Sequence, residues 1–199
     1  MPERTTDEAL LKRAGEGDQA AFLELYDRHR QPIFRFAYRL IGEVDTAEDV
    51  THDCFLSLIR KPENFRPDRA SLRTYLFAAA RNLALKYFRN SGREAGLDEL
   101  TDEPQLSPRH EPLQQLLDEE LAAEIRRAVF SLAPLQREAL ILFEYEGLSL
   151  SEIAEITGAD TGAVKSRLYR ARERLKTVLR PYLSTEMGHK EAQESTVAN

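Results

Sequence analysis

Between Ser149 and Arg180 the chain prescribes its local fold more tightly than anywhere else. Ser149-Leu150-Ser151-Glu152 has the Ser-x-x-Glu spacing of a capping box, in which Ser149 and Glu152 satisfy each other's orphan amides and start a helix with Leu150, Ile153 and Ala154 turned inward. Gly158 ends that helix, because a left-handed closing residue is unstrained only without a β-carbon. Asp160 or Thr161 then caps a second helix on which Val164, Leu168, Ala171 and Leu175 recur at spacings of four, three and four, drawing one apolar stripe. The opposite face carries Gly162, Lys165, Ser166, Tyr169 and Arg170. Two capped helices about a glycine turn make a helix-turn-helix.

Charge gives that unit a direction. From 161 to 180 there are seven Lys or Arg (Lys165, Arg167, Arg170, Arg172, Arg174, Lys176 and Arg180) against Glu173 alone, a local net of plus six in a chain whose total is minus six. Basicity so concentrated suits phosphate neutralisation with counterion release, and Lys, Ser, Tyr and Arg on an exposed helix face can reach base edges in a major groove. A solvated face usually mixes signs, and this one barely does. The segment therefore reads as a DNA-reading unit in preference to a basic helix that only packs on its neighbour.

The 199 residues suffice for one ordinary domain or two small ones. Glycine and proline punctuate the chain and β-branched alternation is absent, so the expected class is all-α, with two small helical domains joined by a flexible acidic linker. Hydrophobic residues make up 42% and charged residues 31%, as in a soluble globular protein, and no apolar run approaches the length of a membrane span. The amino-terminal MPERTTDEAL has no apolar signal core, so no export or membrane insertion is expected, and the expected location is the cytoplasm. Cys54 is the only cysteine, which excludes an internal disulfide or a thiolate zinc cluster; a buried helix residue is a better reading of it than a redox switch.

Along the first domain, 1–93, a short helix over 6–14 is broken by Gly15-Glu16-Gly17 before Asp18 caps a longer one. There Ala21, Phe22, Leu25 and Tyr26 continue past Pro32, which must kink or divide the helix, into Ile33, Phe36, Ala37 and Leu40. Gly42 closes it, and a helix over 45–60 follows with Val50, Cys54 and Leu58 inward and Asp45, Glu48 and Asp49 outward. After a loop over 61–69, a helix from Ala70 to about Asn90 buries Leu72, Leu76, Ala79, Ala80, Leu83 and Tyr87. Between 70 and 93 it carries Arg73, Arg81, Lys86, Arg89 and Arg93 and no acid, with Tyr75, Phe77, Tyr87 and Phe88 interleaved and Asn82, Lys86, Arg89 and Arg93 on one stripe. Cations, amides and aromatic surfaces together suit unpaired bases, although about half of the aromatics should be ordinary core.

From Glu94 to Glu120 nine acids face only Arg109, apart from His110, and Pro104, Pro108 and Pro112 interrupt the segment. The linker is placed at 94–112, the second domain at 113–183 and a mobile tail at 184–199. The second domain should begin with a helix to about Ser131, followed by one from Pro134 to Glu146 that Gly147 separates from the helix-turn-helix.

In this order and spacing, GDQAAFLELYDRHRQPIFRFAYRLIG, TAEDVTHDCFLSLI, RASLRTYLFAAARNLALKYFRN and LAPLQREALILFEYEGLSLSEIAEITGADTGAVKSRLYRARERL resemble the bacterial RNA polymerase sigma factors of the small extracytoplasmic-function group, over about residues 7 to 180. The resemblance implies a non-enzymatic initiation factor whose partners are core RNA polymerase, promoter DNA and an anti-sigma factor or other regulator. It implies that Asp45, Glu48, Asp49, His52, Asp53 and Phe55 serve polymerase binding, and that Asn82, Lys86 and Arg89 lie along the minus-10 single strand. A flipped base would be enclosed by the loop carrying Asn64, Phe65, Arg66 and Ser71. Thr161, Lys165, Ser166, Arg167, Tyr169, Arg170 and Arg174 would form the minus-35 reader, with Arg167, Arg172 and Arg174 mainly on phosphates or packing. His52 and Asp53 stand where the family commonly has Gln then Glu, and Tyr75 where it often has Trp.

Two other readings fit parts of the chain. A stand-alone regulator would use only the helix-turn-helix, but a sensor or dimerising first domain has no use for the acid-free cationic helix. A metal site could be built on Asp49, His52 and Asp53, which share a helix face, but no second histidine stands at helical spacing and no nucleophile motif or phosphate loop is present. No cofactor and no metal are therefore expected.

Overall fold

Every helix whose cap the side chains reveal starts on the residue the chain chemistry favours. Thr6 accepts the Ala9 amide at 3.3 Å to open α1 (Asp7–Gly15), with acids in its first turn and Lys12 and Arg13 in its last. Asp18 accepts the Ala21 amide at 3.1 Å to open α2 (Gln19–Ile41) and also pairs with Arg13 at 2.7 Å, so one carboxylate fixes the α1–α2 corner. Asp7 completes that corner by taking Arg28 at 2.6 Å and His29 at 2.7 Å. The computed structural model describes residues 5–90 and 112–197, with side chains over 5–90 and 121–182. The expected acidic linker lies outside the described residues except for Pro112.

α2 runs through Pro32 as one helix, so the proline does not divide it; its inward ladder of Leu25, Ile33, Phe36, Ala37 and Leu40 continues on both sides. Gly42 then ends it at a φ of 88°. α3 (Val44–Arg60) buries Val50, Cys54, Phe55 and Leu58, and a 3-10 turn over Pro62–Asn64 leads to α4 (Leu72–Asn90). Ser71 caps α4 through the Thr74 amide at 3.1 Å. α2, α3 and α4 pack mutually, and Phe36 and Phe77 meet edge to face at 5.4 Å between centroids.

In the second domain α5 (Pro112–Phe130) and α6 (Pro134–Leu140) pack on α8 (Thr161–Val197), with α7 (Leu150–Thr157) between α4 and α8. The helix expected to run to Glu146 changes pitch at Ile141–Tyr145, where the Glu146 amide bonds to the Ile141 carbonyl at 3.1 Å in a π-turn. α8 does not stop near Leu183: its backbone stays helical to Val197, through the segment expected to be a tail.

The two domains are not separate in this arrangement. One contiguous core takes Leu10, Leu25, Phe36, Cys54, Leu76 and Phe77 from the first and Ile141, Leu142, Leu148, Ile153, Val164 and Leu168 from the second. A satellite cluster of Val129, Leu132, Leu140 and Ala171 holds α5 to α6 and α8. Among the described residues all regular structure is helical, and no helix is long and apolar enough to cross a membrane.

Candidate nucleic-acid interface

The Ser149 capping box closes as its spacing requires: the Ser149 amide donates to Glu152 at 2.8 Å, and the Glu152 amide donates to the Ser149 hydroxyl at 3.3 Å. The Ser149 hydroxyl, which donates to the Glu152 carboxylate at 2.7 Å, and then the Ser149 amide hold that carboxyl below its ordinary value. Ser149→Ala should therefore cost about 1 kcal/mol in a urea melt; an unchanged midpoint would show that the box adds nothing to the fold. Gly158 turns the chain at a φ of 65°, and Asp160 caps α8 through the Ala163 amide at 2.8 Å.

This geometry buries Val164, Leu168 and Ala171 and leaves Thr161, Lys165, Ser166, Tyr169, Arg170 and Arg174 exposed. Tyr169 is 67% exposed, far from an ordinary core tyrosine. Arg167 departs from the others: it is half-buried, its Nη1 is enclosed, and its charge bears on Glu138. Arg172 is engaged at 2.6 Å by Glu144 and lies over Phe143. Arg167 and Arg172 are thus engaged by acids of the protein itself.

On α4, Asn82, Lys86 and Arg89 are exposed along one stripe, which Leu85 joins. Arg93 lies outside the described residues. Asn64, Arg66 and Ser71 are exposed near the start of α4, with Arg66 on Asp68 at 3.2 Å. Phe65, expected beside a captured base, is buried instead and packs at 5.6 Å against Tyr75, whose hydroxyl burial pushes to a higher pKa. The residue supports the loop from below because its apolar ring finds the α3–α4 core.

On α3, Asp45, Glu48, Asp49, His52 and Asp53 are exposed and make a largely acidic face. Phe55 is the correction: it is buried against Tyr26 at 4.8 Å, because residues 54 and 55 both fall on the inward stripe. His52 Nδ1 lies 3.1 Å from its own helix's Glu48 carbonyl, and among the described residues no three His, Cys, Asp or Glu side chains are placed to hold a metal. Cys54 is fully buried, and burial pushes its thiol up to about 12, which removes the thiolate a redox switch needs.

Sequence reasoning passed over the polar groups between the domains. Glu138 of α6 is held by Arg81 of α4 at 2.5 Å, with a second contact at 3.5 Å, and both side chains are largely withdrawn from water. Glu146, at the end of the π-turn, accepts Arg73 on its carbonyl and faces Arg39 at 3.5 Å with its carboxylate, while the Arg39 guanidinium lies 4.4 Å over the Tyr145 ring. Thr74 reaches Glu152 at 3.4 Å. Burial raises both carboxyls above their ordinary value; Arg81 and Arg167 oppose it at Glu138, and Arg35, Arg39 and Arg73 at Glu146. The available signal was an acid in line with a buried residue: Glu138, Leu142 and Glu146 recur every fourth position.

Two exposed cation-bearing helix faces, one of them in a helix-turn-helix, and a third acidic face define an all-α DNA-binding protein. Models of sigma-70 region 2 and sigma-70 region 4 match residues 25–94 and 122–175. The ECF RNA polymerase sigma-E factor of Escherichia coli is 32% identical over 191 residues, 92% of this chain and 99% of that protein. The ECF RNA polymerase sigma factor SigE of Mycolicibacterium smegmatis is 34% identical over 173 residues, 84% of this chain, and the match spans 66% of that protein's length. Among solved structures, that of the sigma factor RpoE in complex with the anti-sigma factor NepR from Bartonella quintana aligns with a TM-score of 0.65 at 27% identity, covering 80% of this chain and 96% of that one. The chain belongs to the ECF RNA polymerase sigma factors.

Proposed function

We infer that this protein joins core RNA polymerase in the cytoplasm and directs it to a two-element promoter, catalysing no reaction itself. The observation that carries the reading is the coexistence on one chain of the exposed Asn82, Lys86 and Arg89 stripe with the exposed Lys165, Ser166, Tyr169 and Arg170 face. The first offers an amide and cations to an opened strand, and the second offers donors to a major groove. The acidic α3 face, with Asp45, Glu48, Asp49, His52 and Asp53, is the proposed polymerase-docking surface; opposite charge there gives fast, salt-sensitive association. A stand-alone regulator would leave the α4 stripe without a partner. An anti-sigma factor is a proposed further partner, as the Bartonella quintana RpoE structure contains one.

Pull-down with purified core RNA polymerase, followed by run-off transcription on genomic fragments of the host, tests the reading. Stoichiometric association with new, promoter-specific transcripts is expected; duplex binding without polymerase association would favour the stand-alone regulator. Within the minus-35 reader, Arg170→Ala should lose about 1–3 kcal/mol of discrimination between promoter and scrambled duplex. Undiminished discrimination would remove Arg170 from the base-reading set.

A further inference from the structure

The surface between the two domains holds an excess of positive charge. Arg35 and Arg39 of α2 with Arg73 of α4 face the single carboxylate of Glu146, while Arg81 of α4 and Arg167 of α8 face that of Glu138. Five guanidinium groups thus surround three carboxylates, since Glu152 also faces Arg73. Four of the five belong to the first domain, on the two helices that carry its core. A structural ion pair needs one cation for each anion, and burial of the Glu138 and Glu146 carboxylates already costs more than their partners return, as the raised pKa of each shows. Arg39 also lies over the Tyr145 ring and Arg73 also donates to the Glu146 carbonyl, so two of the cations have neutral partners as well, yet five cations still exceed the acids they face.

Arg73 and Arg81 stand eight residues apart on α4, about 12 Å along the axis at 1.5 Å per residue. Arg81 directly precedes Asn82, so this cationic row lies beside the exposed Asn82, Lys86 and Arg89 stripe. The arrangement that covers it cannot persist on a promoter. Elements about 25 base pairs apart are separated by about 85 Å of duplex at 3.4 Å per pair, whereas a folded chain of this length has a radius of gyration of only about 16 Å. The domains must part for both readers to bind, and parting strips Glu138 and Glu146 from the arginines.

We propose that Arg39, Arg73 and Arg81 form a further promoter-phosphate site, occupied in the free protein by Glu138 and Glu146 and released to DNA when the domains separate. The carboxylates act as internal stand-ins for phosphate, and a guanidinium accepts either partner through the same forked donors. The proposal rests on the initiation-factor reading given above.

The test uses the full chain, alone and bound to core polymerase, with a fluorescent duplex carrying the promoter mapped by run-off transcription. In the complex, Arg73→Ala with Arg81→Ala should weaken promoter binding about tenfold in 0.1 M salt and make the log–log salt dependence shallower by about 2. Arg73→Lys with Arg81→Lys should keep the steeper salt dependence, since charge is retained. In the free chain, Arg81→Glu should expand the radius measured by small-angle scattering, and adding Glu138→Arg should restore compaction. That charge-swapped chain, folded and closed when free, should still bind the promoter weakly once it carries core polymerase. Unchanged affinity and salt slope in the alanine pair, or wild-type promoter affinity in the charge swap, would overturn the proposal while leaving the initiation-factor reading intact. Failure of the wild-type chain to associate with core polymerase would overturn both.

Discussion

Phe36→Ala is expected to lower the stability of this protein by about 3–5 kcal/mol, the range for removing a buried aromatic ring from a core that cannot collapse around the gap. Phe36 is 0% exposed, sits where α2 meets α4, and presents its ring to the edge of Phe77 at 5.4 Å. The substitution removes buried area, leaves a cavity and abolishes an aromatic pair worth about 0.5–1.5 kcal/mol beyond its area. A folded domain has only about 5–15 kcal/mol in hand, so the urea midpoint should fall steeply. Leu23→Ala is the control: Leu23 lies on the same helix but is 57% exposed, and its loss should stay within about 0.5 kcal/mol. Because the core runs unbroken from Phe36 through Leu76 to Ile153 and Val164, the loss should be felt in one transition covering both domains. A shift under 1 kcal/mol, or a second transition left unmoved, would contradict the shared core.

That continuity marks where the sequence stops being legible. Local signals were sufficient wherever one residue fixes its own surroundings: Ser149 with Glu152, the left-handed Gly42 and Gly158, Asp18 as a cap, and the stripe through Val164, Leu168 and Ala171. They failed where the environment is built by residues distant along the chain. Phe55 and Phe65 differ little in sequence from surface aromatics beside a binding loop, yet Tyr26 and Tyr75 enclose them. Arg137 lies only 1% exposed, against the Phe130 ring at 5.1 Å, and burial lowers its pKa to about 10; propensity places an arginine outside. Arg73 and Arg81 read only as cations of an acid-free helix because their acidic partners lie 57 to 73 residues away. The π-turn at Ile141–Tyr145 was invisible for a related reason, since one extra residue in a turn alters no hydrophobic period strongly enough to be read.

The buried Arg81–Glu138 pair separates two quantities that a contact distance confuses, the loss on breaking an ion pair and the net worth of having one. Arg81→Met should destabilise the closed arrangement by about 3–5 kcal/mol, because Glu138, 3% exposed, is left without its forked donor. Adding Glu138→Leu should return the chain to near its original stability, or raise it by about 1–4 kcal/mol, because the desolvated charge has gone and apolar surface fills its place. The pH dependence has a defined sign. Burial already holds the Glu138 carboxyl above its ordinary value of 4.5, so its favourable contribution is full below 4.5 and is lost as pH rises through the raised value. Arg81→Met removes the largest influence opposing that rise and leaves Arg167 as the remaining neighbour, so the single variant should regain stability as the solution is taken from pH 7 toward about pH 5. The double variant has no carboxyl there to protonate and should show no such recovery. A double-mutant cycle by urea denaturation at both pH values decides the matter. Equal losses in the single and double variants, with no difference in pH response, would mean that Glu138 lies against Arg81 without being held by it.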